Sequence, residues 1–378
     1  MKQKIYSGYN SYKKIYYILK GLSPKKIFLV TGKKSYFLSG AKNLLSKFIN
    51  KYNYFRFYDF ETNPKLEYLM NGINIFNREK CDIIIGVGGG SVMDIAKSIS
   101  ILATQQGGLE EFIKGKISLK KRQIPSIMIP TTAGTGSEST HFSVIYINKI
   151  KYSLAHYSLL PDFAILDPFF TENLPPHITA STSMDALCQG IESFWSTNST
   201  EESRIYSKQA MKLIISNIIK NVNNPDTISR EKMLLASNLA GKAINIAKTT
   251  APHAVSYPIT SYFNIPHGHA VALTLPCFIE FNNDVSLENL QDNRGIKFVK
   301  NRMSELFTIL KVKTANKAKD KIINIMKKIN LETRLSKLGI NRNNIDVIIE
   351  NGFNPQRMKS NPKLVSEKDL RVLIDKII

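Results

Sequence analysis

Six histidines occur in this chain of 378 residues, and three of them, His253, His267 and His269, fall within one stretch, TTAPHAVSYPITSYFNIPHGHA. His253 and His267 stand fourteen residues apart. Neutral imidazoles gathered in this way suit a divalent metal, although two histidines alone serve equally well as core or capping groups. A carboxylate is needed too. Asp185 in SMDALCQGIES offers one, and the helical pattern there puts Gln189, four residues on, on the same face. Asp185, Gln189, His253 and His267 would together give one anionic and three neutral donors.

A second kind of chemistry sits in the glycines. GVGGGSVMDIAK (86–97) follows the apolar run CDIII, so Gly88, Gly89 and Gly90 make a tight turn and Ser91 opens a helix. Backbone N–H groups at such a helix start bind phosphate oxygens. The spacing is not GxGxxG, so the common dinucleotide fingerprint is absent. Asp94 and Lys97 lie on the same helix, where the plain alternative is a surface pair. A second turn, PTTAGTGSE (130–138), again follows an apolar run, and its Thr131, Thr132, Thr135 and Ser137 offer hydroxyls to a ribose or pyrophosphate. Two such turns at strand ends of one sheet point to a nucleotide.

Positioning these groups requires two kinds of architecture. KKIFLVTG, CDIIIGVGGG, SIMIPTTAG and FAILDP read as buried parallel strands, separated by amphipathic helices such as SGAKNLLSKFINKY and NPKLEYLMNGINIFNREK. Alternating strands and helices predict a parallel, Rossmann-like sheet covered on both faces. Beyond Pro176 the patterns are helical almost throughout. The expected organisation is an α/β dinucleotide-binding domain over 1–176 and an all-helical metal- and substrate-binding domain over 177–378, with a ligand cleft between them.

The composition narrows the class. The formal net charge of +22 is suggestive of a polyanion partner. However, the lysines are spread along the whole chain beside abundant Ile and Asn, all encoded by AT-rich codons, and no nucleic-acid motif is present. Cys81, Cys188 and Cys277 are too few and scattered for a disulfide framework. No apolar run reaches the ~18 residues of a membrane span, and no secretory segment is apparent. The expectation is a cytoplasmic protein with a small-molecule substrate, no nucleic-acid or membrane partner, and room for a homodimer.

GGGSVMDIAK, PTTAGTGSE, the MDAL helix and IPHGHAVALTLP, in this order along essentially the whole chain, resemble the iron-dependent (group III) alcohol dehydrogenase family. The resemblance implies a dehydroquinate-synthase-like fold with NADPH or NADH in the first domain. It also implies one divalent metal, Fe²⁺ or a substitute such as Zn²⁺ or Mn²⁺. Asp185, His253 and His267 match three of the family's ligands, whereas Gln189 stands where members usually have His. An amide oxygen keeps the ligand charge but donates more weakly. Tyr257 replaces a further family His, which makes His267, Tyr257 and His269 the implied catalytic group. The implied cofactor residues are Gly32, Asn63, Gly88, Gly89, Gly90, Ser91, Asp94, Thr131, Thr132, Thr135, Ser137 and Lys151. Gly32 stands where many members carry an Asp that repels a 2′-phosphate, and Lys33 and Lys34 follow it, so NADPH becomes acceptable.

The substrate is read from cations. AKTTAPHAVSYPIT brings Lys248 where simple alcohol dehydrogenases carry a Gly-rich run, QRMKSNP places Arg357 and Lys359 beside the pocket, and Arg204 follows on the next helix. Together with DALCQGIES, these segments resemble the subgroup that reduces phosphonoacetaldehyde to 2-hydroxyethylphosphonate, so an anionic aldehyde is expected. A generic alcohol or polyol dehydrogenase acting on a small neutral compound is the alternative.

Overall fold

The Ile- and Val-rich runs of the first half form strands because branched side chains pack well on a pleated surface and each run ends in a turn-forming residue. The computed structural model describes residues 3–148 and 150–378, with only the backbone at 356 and 357. Its strands are β1 (Lys4–Ser7), β2 (Lys26–Thr31), β3 (Asn53–Phe57), β4 (Ile83–Gly88), β5 (Ser126–Pro130), β6 (Phe142–Ile147), β7 (Ile150–Ala155) and β8 (Phe163–Leu166). The order β1-β8-β5-β4-β2-β3 makes a parallel sheet, and β6 and β7 form a separate antiparallel hairpin. The helices of this half are α1 (Lys14–Leu22), α2 (Ser35–Leu38), α3 (Ala41–Ile49), α4 (Leu66–Arg78), α5 (Gly90–Leu102) and α6 (Leu109–Ile113). Residues 1–174 and 175–378 form two compact units.

The sheet is buried on both faces, as parallel sheets are. Ile83, Ile85 and Val87 of β4 join the core under α1 and α3, while Ile84 joins the core under α4 and α5. The chain leaves β2 towards β3 on one side and leaves β4 towards β5 on the other. The loops after the neighbouring strands β2 and β4 therefore diverge and open a crevice at their carboxyl ends, where open α/β sheets bind ligands. Gly32 directly follows β2, and Gly88 ends β4.

The second unit is helical: α7 (Pro176–Trp195), α8 (Glu201–Asn223), α9 (Thr227–Ala247), α10 (Ala251–Phe263), α11 (His267–Asn283), α12 (Ile296–Ile309), α13 (Ala315–Lys328), α14 (Ile345–Gly352), α15 (Pro355–Met358) and α16 (Glu367–Asp375). Side chains of α7 are mostly small, and from Thr179 onward nearly all of them are buried against α8, α9 and α11. Such a helix has little amphipathic signature because it has no wet face. Among the described residues, no helix is long and apolar enough to cross a membrane.

Candidate metal centre and nucleotide loops

Three helices of the second unit converge on one point. Asp185 comes from the middle of α7, His253 from the first turn of α10 and His267 from the first position of α11. Their ligand atoms lie within 4.8 Å of one another. Close approach of α11 to α7 depends on Gly268: a Cβ there would sit 1.9 Å from the Ser181 carbonyl oxygen and 2.9 Å from the Asp185 Cβ. Gln189, one turn along α7, donates from Nε2 to Asp185 Oδ1 at 3.1 Å. A half-turn of that amide would present its oxygen instead, so Gln189 is suitably placed as a neutral ligand.

Sequence reasoning missed Glu192. It lies one turn beyond Gln189 and is fully buried. Its Oε1 takes the hydrogen bond of His253 Nδ1, and its Oε2 accepts from Thr250 N at 2.7 Å and Thr250 Oγ1 at 2.9 Å. The carboxylate thus caps the start of α10 and turns His253 so that Nε2 faces Asp185 Oδ1, 3.4 Å away. A carboxylate behind a ligating histidine fixes the ring orientation and raises its basicity. Its position on the Asp185–Gln189 face of an otherwise apolar, small-residue helix was the available signal.

The electrostatics suit a cation. Asp185 and Glu192 are both buried and, among the described residues, only imidazole answers their charge in ion pairs. Burial works against ionisation of Asp185, but the hydrogen bond from His253 and the charges of His267 and His253 outweigh it, holding the carboxyl below its ordinary range. Burial likewise opposes charge on His253, and Glu192 and Asp185 override it, holding the imidazolium well above the usual histidine range. Positive charge is therefore favoured where the donors meet. A mixed set of imidazole and carboxylate donors with a neutral amide nearby matches what divalent iron, zinc or manganese accepts.

Tyr257, one turn after His253, stacks on His267 with centroids 5.7 Å apart and planes at 18°. His269 does not join this group. Two residues beyond His267 it points elsewhere around α11, and its ring Nε2 lies 2.7 Å from the Glu332 carbonyl while its backbone N–H donates to Ser181 Oγ. Its ring is occupied in holding the bundle together.

In the first unit the two glycine turns interlock. Thr131 N donates to Gly88 O at 3.0 Å, and a Cβ on Gly90 would lie 2.7 Å from Thr135 Cγ2. Gly89 faces Thr132, and Asn63, in a left-handed turn, donates its N–H to Ser91 Oγ at 3.4 Å. Gly32, Asn63, Gly88–Ser91, Thr131, Thr132 and Thr135 are thus gathered around the crevice between β2 and β4. Lys151 lies on β7 opposite Tyr146, whose N–H donates to Pro64 O.

Two expected cofactor residues are occupied within the protein. Ser137 Oγ donates to Asp94 Oδ1 at 2.7 Å, and Asp94 Oδ2 accepts from Val144 N at 3.0 Å. They staple the second turn and β6 to α5. Lys97 is not on a helix surface: it is fully buried, with Nζ near Ser137 O and Thr140 Oγ1 at 2.9 and 3.0 Å. Burial lowers its pKa, partly countered by Asp94.

Of the expected anion cluster, Arg204 stands apart from the metal centre. Arg204 lies over Phe298 at 5.6 Å, beside Arg294 and Arg302. That group gathers at Ser196 and Ser199, beyond the carboxyl end of α7, and eleven residues of helix from Asp185 to Ser196 span about 16 Å. The Arg357 side chain lies outside the described residues, and Lys359 is exposed. Lys248 is exposed at the end of α9, five residues before His253, with φ 60° and ψ 173°.

Residues 2–168 match the profile of iron-containing alcohol dehydrogenase, and residues 179–378 match that of the C-terminal part of the Fe-containing alcohol dehydrogenase family. The chain belongs to the iron-containing alcohol dehydrogenase family, a family of NAD-linked, metal-dependent oxidoreductases. It is 31% identical to an NADPH-dependent butanol dehydrogenase of Clostridium saccharobutylicum, over 83% of this chain and 81% of that one. It is 38% identical to long-chain-alcohol dehydrogenase 1 of Geobacillus thermodenitrificans over 56% of this chain, and the match spans about half (55%) of that relative's length. Among solved structures, the sulfoacetaldehyde reductase of Bifidobacterium kashiwanohense in complex with NAD⁺ is similar at a TM-score of 0.88 and 29% identity, covering 99% of this chain and 96% of that one.

Proposed function

We propose that this protein reduces a small anionic aldehyde to its primary alcohol with NADPH or NADH, and that phosphonoacetaldehyde, giving 2-hydroxyethylphosphonate, is the substrate. The observation that carries the reductase reading is the convergence of Asp185, His253 and His267 on one point, with Glu192 bracing His253. When bound, the divalent ion supplies a Lewis acid for the aldehyde oxygen and the nicotinamide supplies the hydride. Asp185 contributes the anionic donor, and Gln189 adds a neutral oxygen without changing the charge. Glu192 keeps the Nδ1 proton of His253, so the proton that the imidazolium would give up on metal binding is the one on Nε2, the nitrogen that would ligate. Tyr257, stacked on His267, carries the proton that completes the alcohol.

Two observations favour an anionic substrate. Sulfoacetaldehyde, named for the similar solved enzyme, is a two-carbon aldehyde with a tetrahedral oxyanion, and phosphonoacetaldehyde differs from it at the central atom. Lys248 also stands five residues from His253 in a backbone conformation suited to glycine. The butanol dehydrogenase relative favours a second reading, a neutral aldehyde. Steady-state oxidation of NADPH and NADH by the iron-loaded enzyme with phosphonoacetaldehyde, sulfoacetaldehyde and butanal separates them. A kcat/KM at least about tenfold higher for phosphonoacetaldehyde than for butanal is expected, since one charge-assisted contact contributes about 1.5–3 kcal/mol, with sulfoacetaldehyde below phosphonoacetaldehyde. A preference for butanal would reject the anionic reading, and a preference for sulfoacetaldehyde would change the acid group.

A further inference from the structure

At the carboxyl end of β2 the chain has no acidic residue to meet a ribose, and the structure fills that position from the neighbouring strand. Arg56 of β3 pairs in register with Leu29, and its side chain runs forward along the sheet edge. Nε donates to Thr31 Oγ1 at 2.9 Å and Nη2 to the Gly32 carbonyl at 3.3 Å. Tyr36, Phe37 and Tyr58 surround the guanidinium, with centroids 5.0, 4.8 and 4.3 Å from its central carbon. Tyr36 is buried, whereas Phe37 and Tyr58 are exposed, leaving an aromatic surface beside the cation.

Among the described residues, Arg56 makes no ion pair with a carboxylate, although Asp and Glu answer several other arginines of the chain. An arginine has five N–H donors, and two are used here. The remainder are held on a rigid platform at the β2 side of the crevice, next to Lys33 and Lys34. A guanidinium with free donors and fixed geometry recognises a phosphate monoester bidentately, and such a group is close to dianionic at neutral pH. In doubly wound sheets, an acidic residue near this strand end binds the ribose 2′-hydroxyl, and an arginine there accommodates a 2′-phosphate.

We propose that Arg56 reads the 2′-phosphate of NADPH in this chain, with Lys33 and Lys34 adding charge, and that the adenosine end of the site thereby selects NADPH over NADH. The inference rests on the dinucleotide reading of the glycine turns and is independent of which aldehyde is reduced.

The test compares two fragments that differ only in the phosphate, adenosine 2′,5′-bisphosphate and adenosine 5′-monophosphate. Binding is measured by titration calorimetry on the full chain, with no aldehyde present. The wild type is expected to bind the bisphosphate about 10- to 100-fold more tightly. Arg56→Gln should abolish most of that ratio while leaving the monophosphate within about threefold. Arg56→Lys, which keeps the charge but loses the fork, should retain an intermediate ratio, and it carries the test if the Gln variant does not fold. A wild type that does not distinguish the fragments would overturn the proposal while leaving the dinucleotide site intact. Equal loss of both fragments in Arg56→Gln would also overturn it, making Arg56 a platform for adenine. Failure of the wild type to bind either fragment or NADH would reject the dinucleotide reading, and this proposal with it.

Discussion

Glu192 uses both carboxylate oxygens inside the protein, one on His253 Nδ1 and the other on Thr250. Replacing it by Gln keeps the shape but removes the anion that fixes the histidine proton. Metal affinity should fall about 10- to 100-fold, the usual effect of losing such a supporting carboxylate. Competition with a chromophoric chelator measures it, and unchanged affinity would mean that packing alone orients His253. Lys248 is a different case. Its φ of 60° with ψ of 173° lies in a region essentially reserved for glycine, and strain there is worth about 1–3 kcal/mol. Lys248→Gly should therefore raise stability, by about 1 kcal/mol after the added freedom of the unfolded chain is subtracted. If the ammonium binds the substrate anion, the same change should lower kcat/KM for phosphonoacetaldehyde while sparing butanal. Lys248→Ala should lose the anion preference without the gain in stability. Thermal melts and the two-substrate ratio decide it, and a variant that melts lower than wild type would remove the strain argument.

At the scale of elements, the metal centre is a crossing of helices. His267 reaches Asp185 because α11 begins almost against α7, and Gly268 permits the contact. Gly268→Ala would drive a methyl into the Ser181 carbonyl, which is backbone and cannot rotate away. Overpacking of this kind costs about 1–3 kcal/mol or more. Both the thermal midpoint and the bound metal per chain should drop. Gly21 serves as a control, since a Cβ there would meet nothing within 4 Å, and Gly21→Ala inside α1 should be neutral or stabilising. Full metal occupancy and an unchanged midpoint in Gly268→Ala would show that α11 can shift without disturbing the cluster. Some elements were harder to read. The hairpin β6–β7 was not foreseen from FSVIYINKIKYSLA, whose turn passes through Asn148 at φ 49° rather than through a glycine. Yet this hairpin supplies Val144 N to Asp94 and so fixes the second glycine turn.

For the whole molecule, local sequence was enough to establish the class. Apolar runs ending in glycine-rich turns predicted the parallel sheet, and the helical texture after Pro176 predicted the second architecture. Asp185 and His253 with His267, separated along the chain, were legible as a metal set through residue type and spacing. These signals survive in one dimension because strand and helix periods, turn chemistry and ligand type are properties of short segments. Residue type alone misplaced two cations: Arg204 belongs to a cluster around Phe298, and Lys97, which reads as a surface residue, is buried among oxygen acceptors. The sequence by itself determined the family and singled out the candidate nucleotide turns and three candidate metal donors. Only the tertiary structure decided that Glu192 orients His253, that His269 holds the Glu332 carbonyl and that Arg56 lies at the end of β2. Each of these depends on which buried group of one element faces which group of another, and a hydrogen bond across dozens of residues leaves no pattern in the spacing of either segment.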